Sequence, residues 1–141
     1  MSKQIIGRKD RVDFPALGLE DIDVKIDTGA YTSSIHCMDI HEKEGVLHAT
    51  FLDPKHPKAK GEKMTFDAYD IAAVKSSNGE IQYRYAIASN IRIFGKKYKI
   101  SLTLTSREDM RFPVLLGRKF LTHKFIVDTS LTDVSFSKKN S

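Results

Sequence analysis

The chain has 141 residues, 40% hydrophobic and 29% charged, and 23 Lys and Arg against 18 Asp and Glu give a formal charge of +5. This mix excludes a disordered chain and suffices for one ordinary domain spanning 1–141 with a core of its own. A lone cysteine, Cys37, excludes an intrachain disulfide or a Cys-pair zinc site within one chain.

No apolar run reaches membrane-spanning length, and the polar first ten residues lack the apolar core of a signal peptide. The basic residues are scattered rather than blocked. The expectation is therefore a cytoplasmic protein with neither a membrane nor a nucleic-acid partner.

Strand signals dominate the chain. Gln4 to Gly7 is a short apolar start, and Val12 to Phe14 is extended before a turn at Pro15-Ala16-Leu17-Gly18. From Asp21 to Ile26 the pattern alternates, with Ile22, Val24 and Ile26 facing one way and Asp23 and Lys25 the other. That period of two predicts a strand with one buried face. It runs straight into Asp27-Thr28-Gly29-Ala30, a turn sequence.

Ile35 to Ile40 and Gly45 to Leu52 are further strand candidates, followed by a Pro- and Lys-rich loop from Asp53 to Gly61. Met64 to Val74 predicts one or two strands. Ser76-Ser77-Asn78-Gly79 is a hairpin turn signal, and Glu80 to Ala88 leaves it with alternating Ile81, Tyr83 and Tyr85. Asn90 to Phe94, a turn at Gly95-Lys96, and Tyr98 to Leu104 predict a second hairpin. Pro113 to Gly117 is an apolar strand ending at a glycine, and Arg118 to His123 allows one or two helical turns. Phe125 to Val127 and Val134 to Phe136 read as terminal strands. Many short strands with turns between them predict an all-β, closed or sandwiched fold.

The element that points to chemistry is Ile26-Asp27-Thr28-Gly29-Ala30. A buried strand fixes the backbone before Asp27, Gly29 permits a tight turn and close approach of another main chain, and the Thr28 hydroxyl can lock the turn. Alone this is a common strand-to-turn junction. Its counterpart comes late in the chain, as Pro113-Val114-Leu115-Leu116-Gly117-Arg118 followed by Phe120-Leu121.

With these two motifs in this order, and two hairpins between them, the sequence resembles the retropepsins, the retroviral-type aspartic peptidases. Roughly residues 20–137 carry the resemblance. It implies a retropepsin-like closed β-barrel, a flap hairpin from Lys75 to Tyr85, and one short helix near the C-terminus. It implies Asp27, Thr28 and Gly29 as the catalytic turn, with Thr28 bracing it across a two-fold axis. Ala30, Ser77, Asn78, Gly79 and Arg84 would contact substrate, and Leu115, Leu116 and Gly117 would support the site.

Ile6-Gly7-Arg8, Lys25 to Ala30, Leu102 to Thr105 and Met110 to Arg118 also resemble a bacterial group labelled ATP-dependent zinc proteases. That group is associated with ATP-grasp ligases that add glutamates to a ribosomal protein. The association implies a glutamate-rich peptide as substrate and such a ligase as partner. The residues give the label itself no support: His41-Glu42 lacks the second His of a zinc-peptidase helix, and no Gly-rich Lys-Ser/Thr phosphate loop is present. No cofactor and no metal are expected. Tyr31 departs from the Arg usual in the bacterial group, and Asn78-Gly79 from the Gly-rich viral flap tip.

Aspartic peptidases need two carboxylates sharing one proton. This chain has one Asp-Thr-Gly; Asp128-Thr129-Ser130 imitates it with Ser in place of Gly. The second carboxylate is therefore expected from a second copy, making a homodimer, with terminal strands adding to the interface. Two other readings compete. One is a non-catalytic module binding peptides or a partner on the same fold. The other is a zinc-dependent hydrolase built on His36, Cys37, Asp39 and His41, of which the last three would share a strand face. Arg84, Arg107 and Arg111 are candidate contacts for an acidic substrate.

Overall fold

The computed structural model describes residues 2–76, 78–106 and 111–139. Eleven strands follow one another among them: β1 Gln4–Ile6, β2 Lys9–Phe14, β3 Leu19–Ile26, β4 Ser33–Lys43, β5 Val46–Phe51, β6 Lys63–Phe66, β7 Asp70–Lys75, β8 Ile81–Ile93, β9 Lys96–Thr105, β10 Val114–Leu116 and β11 Phe125–Val127. A single 3-10 turn spans Pro15–Leu17, and two short helices, α1 Arg118–Leu121 and α2 Val134–Lys139, lie near the C-terminus. No helix is long and apolar enough to cross a membrane among the described residues.

The strands close into a six-stranded barrel in the order β10-β3-β2-β8-β9-β4, with β4 returning to β10. Closure removes the free edges that an open sheet would present. The alternation read from residues 21–26 holds, because Ile22, Val24 and Ile26 are buried in the barrel. They meet Val12, Phe14, Ile35, Ile91 and Leu116 there. Two barrel strands also pair with strands outside the barrel. β8 pairs with β7 through residue 86 and then with β9, and the far half of β4 pairs with β5.

Several expectations change. Glu80 to Ala88 and Asn90 to Phe94 are one continuous strand, because Ser89 stays in the ladder opposite Ile100. The hairpin after it turns at Phe94-Gly95 rather than Gly95-Lys96: both residues have positive φ (51 and 72°) and Ile93 pairs with Lys96. This is the two-residue loop whose backbone matches strand twist.

Val134 to Phe136 is not a strand but the start of α2. Buried Asp10 of β2 accepts hydrogen bonds from the N–H groups of Ser135 (2.9 Å) and Phe136 (3.1 Å), satisfying donors that a helix start leaves open. There are thus two short C-terminal helices rather than one, and the segment packs on β2 and β1 of its own chain.

Burial pushes the Asp10 carboxyl above the ordinary carboxylate range, against the pull of its backbone donors Ser135, Arg11 and Phe136. The native state therefore holds that proton more tightly than the unfolded chain. The contribution of Asp10 to stability falls as pH rises from the ordinary value to the raised one, then levels off. Replacing Asp10 by Ala strands three backbone donors, one buried and two part-buried. Urea unfolding at neutral pH should show a loss of about 2–4 kcal/mol, with Asp10→Asn losing less.

Candidate active site

β3 ends at buried Ile26, and Asp27 follows on the opposite side, half-buried. β10 runs parallel to β3 with Leu116 beside Ile26, and the Asp27 N–H donates to the Leu116 carbonyl (2.9 Å). The turn then folds on its own carboxylate. Gly29 N–H donates to Asp27 Oδ1 (3.1 Å), and Ala30 N–H to the Asp27 carbonyl (3.2 Å). Thr28 and Gly29 are exposed at its tip.

The segment after β10 clamps the turn from the other side. Arg118 Nη1 donates to the Thr28 carbonyl (2.9 Å), its backbone N–H to Ala30 (2.9 Å), and the Lys119 N–H to Tyr31 (2.9 Å). Gly117 N–H donates to Ser33 Oγ (3.0 Å). Each bond is worth about 1 kcal/mol net, but together they fix the Asp27 backbone from two elements. Arg118 also lies 5.9 Å from the centre of the exposed Tyr31 ring.

The close approach expected of Gly29 belongs, within this chain, to Gly117. A Cβ on Gly117 would sit 2.5 Å from the Thr32 carbonyl oxygen and 2.6 Å from that of Tyr31. A Cβ on Gly29 would meet only Asp27 Oδ1, at 3.3 Å. The support residues also divide: Leu116 is fully buried in the core, whereas Leu115 is half-buried on the outer face.

That outer face carries Asp27. Side chains alternate along a strand, so Lys25 and Asp27 project to the same side. Register extends the row from Lys25 to Leu115, Ser34, Thr103 and Ala86 across β3, β10, β4, β9 and β8. Exposed Lys25 has Lys9 as its cross-strand neighbour, and Lys9 is paired with Asp133 at 3.1 Å. Among the described residues Lys25 itself has no charge partner. Lys25, Ser33 and Arg118 were absent from the sequence-derived site. Lys25 was readable there as the polar residue two before Asp27, and Arg118 as the continuation of Leu-Leu-Gly, but Ser33 gave no signal.

The flap candidate is the β7–β8 hairpin, with Lys75 opposite Ile81 and a turn in which Gly79 N–H donates to the Ser76 carbonyl (3.0 Å). Asn78 Oδ1 accepts from Glu80 N–H (3.2 Å). Arg84 lies on β8 opposite Ala72 and donates to Gln82 Oε1 (2.9 Å). Ser77 and Arg107 lie outside the described residues, and Arg111 is exposed.

The four proposed metal ligands do not converge. A register shift between Met38 and His41, with Asp39 at φ 53°, breaks the alternation that would have put Cys37, Asp39 and His41 on one face. Cys37 is fully buried in the core, and that burial drives its thiol pKa far up, away from nucleophilic use. His41 is exposed, bonded to the Asp39 carbonyl (3.0 Å) and stacked on His48 at 4.8 Å. His36 is buried beside the end of β9, opposite Thr105. No group of three or more potential ligands gathers among the described residues.

Asp128 follows β11 in an exposed turn of its own. Ser130 donates to its carboxylate through N–H (2.9 Å) and Oγ (2.6 Å), which holds its pKa below the ordinary range.

Comparison with known proteins places this geometry. A protein named "Probable alpha-L-glutamate ligase" from Shewanella halifaxensis is 40% identical over 135 residues, covering 92% of this chain and 29% of the relative. One of the same name from Desulfotalea psychrophila is 31% identical over 137 residues, covering 93% and 29%. The chain thus spans less than a third of the length of these relatives. A crystal structure of a Legionella pneumophila protein of unknown function superposes with a TM-score of 0.70 at 28% identity, covering 95% of this chain and 99% of that one. The family model described as retropepsin-like aspartic endopeptidase RimB matches residues 5–138. With the closed barrel and the anchored Asp-Thr-Gly turn already in place, that match makes this chain a member of the RimB-like, retropepsin-like family.

Proposed function

We propose that the chain is one half of a homodimeric aspartic endopeptidase, with the two Asp27 carboxylates facing each other across a two-fold axis. The observation that carries this reading is the anchored turn. Asp27 is held through its backbone by Leu116 and oriented by Gly29, while Thr28 and Gly29 are left exposed where a second copy would meet them. Exposed Ile5 and Ile126, paired across β1 and β11, offer further apolar surface to that copy.

Two carboxylates at contact distance share one proton. The ionised one takes a proton from a water molecule as the water attacks the scissile carbonyl. The protonated one donates to the carbonyl oxygen, and the tetrahedral adduct collapses as the amide nitrogen is protonated and leaves. The substrate would lie extended across the Asp27 turn, with Ala30 and the Asn78, Gly79 and Arg84 hairpin contacting it.

A glutamate-rich peptide is the substrate class, and an ATP-grasp glutamate ligase the partner. Two facts support this: relatives named glutamate ligase contain this segment within a longer chain, and Lys25 stands uncompensated on the Asp27 face. The test is incubation with peptides carrying oligoglutamate tails and with glutamine-tailed controls, followed by mass spectrometry across pH. Glutamate-dependent cleavage should fall as pH rises past loss of the shared proton. No cleavage, or a rate flat into the alkaline range, overturns the reading.

A further inference from the structure

A concavity of about 870 Å³ lies outside the Asp27 turn, and Asp27 does not line it. Lys97 and Lys99 of β9, Lys119 of α1 and Lys124 stand around it, and none of the residues lining it is Asp or Glu. Tyr98, which alternation along β9 turns to the opposite face from Lys97 and Lys99, and buried Phe120 line it from the core side. Lys124 is committed locally: its Nζ donates to the Phe120 carbonyl (2.9 Å) and lies 5.0 Å from that ring's centre. Lys97, Lys99 and Lys119 are exposed, and none has a carboxylate partner among the described residues.

We propose that this groove is a second binding site, separate from the Asp27 turn, for an extended peptide rich in carboxylates. Lys97 and Lys99 are two apart on a strand, so they share a face about 6.6 Å apart. Alternate side chains of an extended peptide repeat at the same spacing, so successive carboxylates on one side of a glutamate run can meet them in register.

Nucleic acid fits less well. Single strands gain most of their base affinity from open aromatic faces. Here Phe120 is buried, and it and Tyr98 pack edge-to-face on each other with Phe125 beside them. One end of the groove touches the active-site clamp, because Ser33 and Lys119 both line it. A long acidic tail held there would be tethered close to the cleavage turn.

The test is fluorescence anisotropy of a labelled oligoglutamate peptide on the 141-residue chain carrying Asp27→Asn, where no cutting can confuse the signal. This readout does not depend on peptidase activity, so its result stands whether or not the proposed function does. The account expects binding of oligoglutamate and not oligoglutamine, weakened at least about 10-fold by Lys97→Glu with Lys99→Glu. Lys43→Glu with Lys63→Glu, exposed positions on β4 and β6, makes the same change in net charge and should leave affinity nearly unchanged. Equal loss from both pairs would reduce the effect to net charge and overturn the groove. Equal binding of oligoglutamine, no binding of either peptide, or tighter binding of an oligothymidine strand would overturn it as well.

Discussion

Asp27→Asn is expected to lower peptide cleavage by about 10³-fold or more, the scale of losing a positioned acid–base group. Thermal stability and dimer content should stay close to the parent. Asn keeps the size of the side chain, and its amide oxygen can still accept the Gly29 N–H that Asp27 Oδ1 accepts at 3.1 Å. The backbone anchor to Leu116 does not involve the side chain at all. Loss of activity with retained fold separates chemistry from scaffolding. Asp128→Asn serves as the matched control: its carboxylate is occupied by Ser130 in a separate exposed turn, and activity should survive. Equal losses from the two variants would remove Asp27 from its special place.

Gly117→Ala is expected to be the most damaging single-methyl change near the site. The added Cβ would fall within 2.6 Å of two backbone carbonyl oxygens, those of Thr32 and Tyr31, and 2.8 Å from the Thr32 carbonyl carbon. Backbone cannot swing aside as a side-chain tip can. The β10–α1 junction and the 27–32 segment must separate, stretching the bonds from Gly117 to Ser33 and from Arg118 to Ala30. A loss of about 3 kcal/mol, roughly 10 °C in melting temperature, follows from overpacking a site that cannot relax. Activity should drop further than stability alone explains, because the clamp sets the Asp27 turn. Gly45→Ala is a useful contrast: that residue has open space around it and only a strained φ of +78°, so its loss should be about 1 kcal/mol.

Much of this molecule could be read locally. Strands whose alternation reports one buried face, such as Ile22-Val24-Ile26, came out as expected because period and burial agree there. The two motifs around Asp27 and Gly117 were legible because each packs a distinctive set of residues into a few positions. What could not be read depends on partners far along the chain. Val134-Ser135-Phe136 alternates like a strand, yet Asp10, more than a hundred positions earlier, caps it into a helix. The face of Cys37, Asp39 and His41 failed because a bulge at Asp39 shifts the register, and nothing at that residue type announces it. Ser33 supports Gly117 only once β4 lies beside β10. The lysine groove likewise appears only when β9 and α1 are placed against each other.

The central claim is that one active site needs Asp27 from two chains, and subunit mixing tests it most directly. Wild-type and Asp27→Asn chains are combined at constant total concentration, allowed to exchange, and assayed on an oligoglutamate-tailed peptide. If each site draws a carboxylate from both copies, an equal mixture retains about one quarter of the all-wild-type rate, since only dimers with two intact chains cut. Activity that instead stays proportional to the amount of wild-type chain, about one half in that mixture, would mean that each chain works alone and would contradict the shared site.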